Sequence, residues 1–171
     1  GRDHILWRHT SGAITVWTGT GSNGFAANFA VQAMDLQWQV AGTGDFDGDG
    51  ADDILWRHAS GAVTAWLATG TGFDGGTVPI YQAGQDWDVA ATGDFSGDWR
   101  DDILWRHDSG QVLSWISLGH GFDGAYAFRA QVGNDWQIAN DGGALLAFRM
   151  RGADGSVEAV DFLWVRRLPS S

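Results

Sequence analysis

The strongest constraint on this chain is that it repeats itself. The string DHILWRH at 3–9 returns as DDILWRH at 52–58 and again at 101–107, each time 49 residues on. The same spacing relates Trp17, Trp66 and Trp115, then Trp38, Trp87 and Trp136, then Gly12, Gly61 and Gly110. A period that runs through the whole unit means that one supersecondary element is built several times and stacked on itself. Its composition is not helical. Of the 21 acidic residues only Glu158 is a glutamate, all ten basic residues are Arg, and the chain holds 26 Gly and 11 Trp. Gly and Asp favour turns, and Trp favours strands, whereas helices draw on Ala, Leu, Glu and Lys.

Alternation and turn residues divide the unit into four short strands. In the second copy these are expected at 38–42, 54–58, 62–68 and 77–83, with an Asp/Gly loop at 45–53 and a hairpin turn at Ser60-Gly61. Pro79 marks the fourth as an outer edge. Four strands in 49 residues is the size of a β-propeller blade, while the coils of a β-solenoid are shorter. The expected fold is therefore all-β, a β-propeller of 49-residue four-stranded blades, with about three and a half blades in this chain. A partial blade spans 1–34, complete blades span 36–83 and 85–132, and a divergent partial blade spans 134–168. In that last unit 136–141 repeats the first strand, and 145–151 with 156–166 form a hairpin. Open ends leave unpaired strand edges. Flanking blades or further copies of the chain are expected to complete the ring; closure by the last hairpin into a four-bladed ring is the alternative.

A net charge of −11 excludes nucleic acid, whose binding needs clustered Lys and Arg. No apolar run reaches the roughly 20 residues of a spanning helix, so no membrane insertion is expected. The absence of Cys removes disulfides, thiolate metal sites and cysteine nucleophiles. With Gly1 in place of Met, the chain reads as a processed product or a fragment.

The loop at 45–53 carries chemistry. Asp45, Asp47, Asp49 and Asp53 stand at its positions 1, 3, 5 and 9, and Ala51 at position 7 offers a backbone carbonyl. Carboxylates crowded this closely repel unless a cation sits among them. Hard oxygen donors in a flexible loop, with Gly where the chain turns, suit Ca²⁺; Mg²⁺ prefers to keep its waters, and Zn²⁺ wants His or Cys. The loop is not an EF-hand, because position 12 falls on Trp56 and strands flank it.

The run GDFDGDGADDILW between short strands resembles the FG-GAP/VCBS repeats of integrin-like β-propellers. In that family, D-x-D-x-D-G-x-x-D loops joining the first and second strands of a blade hold calcium. The resemblance implies Asp45, Asp47, Asp49 and Asp53 as side-chain ligands, with Ala51 as a main-chain one. It implies a second, weaker site in the next repeat from Asp94, Ser96, Asp98 and Asp102, with Arg100 at the main-chain position. There Ser96 replaces an acid and Trp99 replaces the turn glycine. In the first unit only His4 remains of the loop, and in the fourth the loop has shrunk to Gly142-Gly143, so neither is expected to bind.

Other residues invite a function and have a plainer reading. The Trp-Arg-His trio recurs in three units, as a packing device between blades would, with Arg and His satisfying neighbouring carbonyls. Asp52 and Asp101 are expected to accept hydrogen bonds within their loops or to face water. Trp99 has no counterpart in the repeat and could stack on a sugar or anchor a partner; His120 reads as a solvated turn residue. No Ser-His-Asp set or Glu pair recurs at a spacing that signals hydrolysis.

The expected function is non-catalytic: a calcium-stabilised module, secreted or displayed on a cell surface, of bacterial type, for adhesion, recognition or assembly. The adhesive role comes from the resemblance. A lectin-like glycan binder, a subunit of a surface fibre and an accessory module of a secreted hydrolase are the alternatives, with a glycan or a surface protein as ligand.

Overall fold

All regular structure among the described residues is β. The computed structural model describes residues 4–20, 24–31, 33–70, 72–124, 129–136, 150–151 and 157–158. No helix in it is long and apolar enough to cross a membrane. The first sheet orders β1 (His4–Arg8), β2 (Ile14–Gly19) and β3 (Phe25–Val31) in sequence. The second orders β4 (Trp38–Gly44), β5 (Asp53–His58), β6 (Ala62–Trp66) and β7 (Tyr81–Gln82) in the same way. The third contains β8 (Trp87–Gly93), β9 (Asp102–His107) and β10 (Gln111–Ser117). Its outer edge is shared by β11 (Phe122–Asp123) and β12 (Arg129–Gln131), both paired with β10. A two-stranded ribbon pairs β13 (Met150–Arg151) with β14 (Val157–Glu158), inside the expected hairpin. Every pairing is antiparallel and none of the sheets closes on itself.

Register follows the sequence period. Trp38 faces His58 and Val40 faces Trp56, with a bulge before Gly42 faces Leu55. Trp87 faces His107 and Val89 faces Trp105, with the same bulge before Ala91 faces Leu104. The fourth strand of the second sheet is shorter than expected, because Pro79 has no N–H to give the ladder and only Tyr81 and Gln82 pair. The third strand also ends early, at Trp66, where Asp74 draws the chain into a turn by accepting from the Leu67, Gly76 and Thr77 N–H groups. The expected strand over 136–141 lies outside the described residues after Trp136.

Each hairpin between the second and third strands of a unit turns on a glycine. Gly12, Gly61 and Gly110 have φ of 89°, 95° and 92°. A Cβ there would collide with the carbonyl oxygen of Met34, Ala83 or Val132, so only glycine fits. The following segment returns to this turn, and the Met34, Ala83 and Val132 N–H groups donate to the three glycine carbonyls.

Successive residues on a strand point to opposite faces, and here both faces of the second sheet are covered. Ile54, Trp56 and Trp66 cluster with Ile14 and Leu6 of the first sheet. Leu55, Val63 and Ala65 cluster with Ile103, Trp105 and Trp115 of the third. An arginine seals each junction: Arg8 lies 5.5 Å over the Trp56 ring and Arg57 lies 5.2 Å over Trp105. Arg57 also donates to the carbonyls of Gly61 (2.5 Å), Gly84 (2.6 Å) and Trp87 (3.1 Å), so the arginines do serve carbonyls as expected. The histidines do something else. Nδ1 of His9, His58 and His107 meets the hydroxyl of Ser11, Ser60 and Ser109 at 2.7–2.8 Å and accepts from the N–H of the same serine. A histidine at the strand end is two residues from that serine, so the local turn captures the ring before any neighbouring sheet does.

Candidate metal centre

The two aspartate loops connect β4 to β5 and β8 to β9. In the first, Asp45 holds the turn by accepting the Gly48 N–H on Oδ1 (2.8 Å) and the Gly50 N–H on Oδ2 (2.9 Å). Asp47 accepts from the Asp49 N–H (3.1 Å) and Asp49 from the Ala51 N–H (2.8 Å). Gly48 and Gly50 have φ of 81° and 89°, which bends the loop inward on itself. The result gathers the carboxylates of Asp45, Asp47 and Asp49, with one oxygen of each lying within 4.8 Å of the others. Oxygens that share a calcium ion at 2.3–2.6 Å are at most about 5 Å apart, so this donor set fits calcium by spacing and by hardness.

Asp53 stands outside that trio. It is fully buried at the start of β5, where Oδ2 accepts from Phe46 N–H (2.8 Å) and Oδ1 from Ala68 N–H (2.7 Å). Burial pushes its carboxyl up to about 7; the two backbone donors oppose the shift, and the charges of Asp47 and Asp45 add to it. Asp53 thereby ties the loop's entry to the end of the β6 strand. Ala51 is half-buried in the loop.

The second loop has the same backbone course, with Gly97 at φ 81° and Trp99 at φ 71°. Asp94 accepts from the N–H groups of Gly97 (2.6 Å), Asp98 (3.0 Å) and Trp99 (3.1 Å). Asp102 repeats the part of Asp53: it is buried, accepts from Ser96 and Ser117 N–H at 2.8 Å each, and is pushed up to about 6 by burial. Asp98 and Arg100 form an ion pair through Oδ2 and Nη2. Among the described residues the three-carboxylate cluster occurs in the first loop alone.

Asp101 was expected to serve its own loop or face water, and it serves the other loop. Its Oδ2 accepts the Asp45 N–H at 3.0 Å, and its own N–H donates to the Asp45 carbonyl at 2.7 Å. The Ser117 hydroxyl donates to the Phe46 carbonyl at 2.5 Å, a second tie between the loops. Only the doubled DD at the end of each loop hinted at Asp101, and nothing in the repeat singled out Ser117. Trp99 is 79% exposed, in keeping with its place at a loop tip.

No curated protein and no solved structure matches the chain. Residues 45–105, from the first aspartate of the first loop to the tryptophan of β9, match the family model of the FG-GAP-like repeat. Over these residues the chain is similar to an FG-GAP-like repeat.

Proposed function

We propose that this chain is a non-catalytic repeat module of β-propeller type, built from 49-residue blades at 1–34, 36–83, 85–132 and 134–168, and stabilised by calcium at 45–53. The observation that carries the reading is the convergence of Asp45, Asp47 and Asp49 in a loop that lies within the FG-GAP-like match. Asp45, Asp47 and Asp49 would hold the ion, with the Ala51 carbonyl and Asp53 as the remaining donors that the loop pattern offers. Bound calcium supplies positive charge to a cluster that otherwise repels itself, so it stabilises the folded loop by mass action. Affinity at the level of extracellular calcium modules suits a secreted or surface-displayed protein working in adhesion, recognition or assembly.

The first sheet supports assembly with further repeat units. Trp7 is 46% exposed, whereas its counterparts Trp56 and Trp105 are 0% and 1% exposed beneath the arginine of the preceding unit. The Trp7–Trp17 pair, 5.0 Å between ring centroids, fits another unit carrying the same strand and arginine. A second reading, glycan binding, draws on Trp99, a bare indole held at positive φ on a loop tip. Glycan-array binding lost in Trp99→Ala would favour it.

Thermal melts with calcium and with a chelator test the module reading. Calcium is expected to raise the Tm, and Asp47→Ala is expected to abolish that rise. Superimposable melts would remove the metal from the proposal.

A further inference from the structure

The two loops differ most at their seventh position, which is Ala51 in the first and Arg100 in the second. Arg100 turns its guanidinium back into its own loop. Nη2 pairs with Asp98 Oδ2, the backbone N–H donates to Asp98 Oδ1 at 3.0 Å, and Nε donates to the Ser117 carbonyl at 3.2 Å. Both side chains of the pair are 33% exposed, so the pair is partly shielded from water. The remaining donors are also engaged. Asp94 receives three backbone N–H groups, and the Ser96 N–H holds Asp102. Ser96 brings a neutral hydroxyl where the first loop has Asp47.

In the first loop, by contrast, no arginine pairs with Asp45, Asp47 or Asp49 among the described residues. The stem of Arg100 does reach that loop, since a Cβ on Gly48 would lie 3.2 Å from Arg100 Cγ. Arg100 thus lies between the loops and gives its charge to the second.

We infer that Arg100 is the cation of the 94–102 loop, an internal substitute for metal, and that the chain takes calcium at 45–53 and not at 94–102. This rests on the calcium reading of the first loop. A divalent ion entering the second loop would have to displace the guanidinium from Asp98 and then sit within a few ångströms of its positive charge. A tethered guanidinium also needs no ion from solution, so the second loop holds its shape whatever the calcium concentration. The planar fork suits the role, because it serves a carboxylate and a carbonyl at once.

Equilibrium dialysis of the full chain against Ca²⁺ alone, at neutral pH, decides the matter. The expected count is about one ion per chain for the native sequence, about none for Asp47→Asn combined with Asp49→Asn, and about two for Arg100→Gln. A native count of two that falls to one in Asp94→Asn overturns the inference without Arg100→Gln being needed. A folded Arg100→Gln chain that still takes one ion overturns it as well. A native count of zero has a different meaning, since it removes the calcium reading of the first loop itself. A native count of one that is unchanged in Asp94→Asn supports the inference even if Arg100→Gln does not fold.

Discussion

Asp45 and Asp101, 56 residues apart, are joined twice: the Asp45 N–H donates to Asp101 Oδ2 at 3.0 Å, and the Asp101 N–H returns to the Asp45 carbonyl at 2.7 Å. The fit is close, because a Cβ on Gly44 would lie 2.8 Å from Asp101 Oδ2. Asp52 occupies the same repeat position and is exposed. Asp101→Ala should therefore cost about 1–3 kcal/mol, the loss of a charge-assisted bond with a donor left behind, while Asp52→Ala should stay within about 0.5 kcal/mol. Gly44→Ala should displace the same carboxylate, so the double variant Gly44→Ala with Asp101→Ala should lose less than the sum of the two single losses. Urea unfolding of the four variants reads this directly; equal costs at 52 and 101 would deny the link between the loops.

Arg57→Lys keeps the charge at the junction of the second and third sheets and loses the fork. The guanidinium bonds four carbonyls, of Gly61, Ala83, Gly84 and Trp87, at 2.5–3.3 Å while covering Trp105, and a single ammonium cannot reach all of them. A loss of about 1.5–3 kcal/mol is expected in chemical denaturation. Indole fluorescence should shift to the red as water reaches Trp105. A substitution without measurable cost would show that stacking area alone holds the junction.

Trp99 occupies the position that Gly50 fills in the first loop, and both have positive φ. A side chain there is strained by about 1–2 kcal/mol. Trp99→Gly should raise the melting temperature, by roughly 1 kcal/mol of added stability after the extra freedom of the unfolded chain is counted. Destabilisation would mean that the indole makes contacts that outweigh its backbone strain.

The buried carboxyls give the metal-free chain a distinctive pH dependence. Burial raises Asp53 to about 7 and Asp102 to about 6 in the folded state, above the 3.8 of a free aspartate. A raised carboxyl favours the folded form while protonated, so its contribution is complete below about pH 4 and is lost as pH rises through these values. In chelator, stability should fall between about pH 4 and pH 7 and level off above that. Calcium should offset that fall, since the ion binds deprotonated donors. Chelator-treated protein that grows more stable across this window would contradict the assignment.

Much of the architecture is legible along the chain because it is local. The 49-residue period, the alternation in DILWRH, the turn glycines at 12, 61 and 110 and the Asp/Gly loops each act within a few residues of themselves. Those features foretold an all-β chain of antiparallel sheets and singled out Asp45, Asp47, Asp49 and Asp53, of which the structure gathers the first three, and they carried the FG-GAP resemblance that the match over 45–105 agrees with. The partners of identical residues were not legible. Asp52 and Asp101 share one motif, as do Trp7, Trp56 and Trp105, and what separates them is which sheet lies opposite. Burial, a guanidinium turned into its own loop, and an aspartate that reaches across 56 residues all depend on neighbours distant in sequence. A repeated sequence specifies each unit equally, and the stacking of the units makes them unequal, because desolvation and hydrogen bonding depend on what stands across the gap.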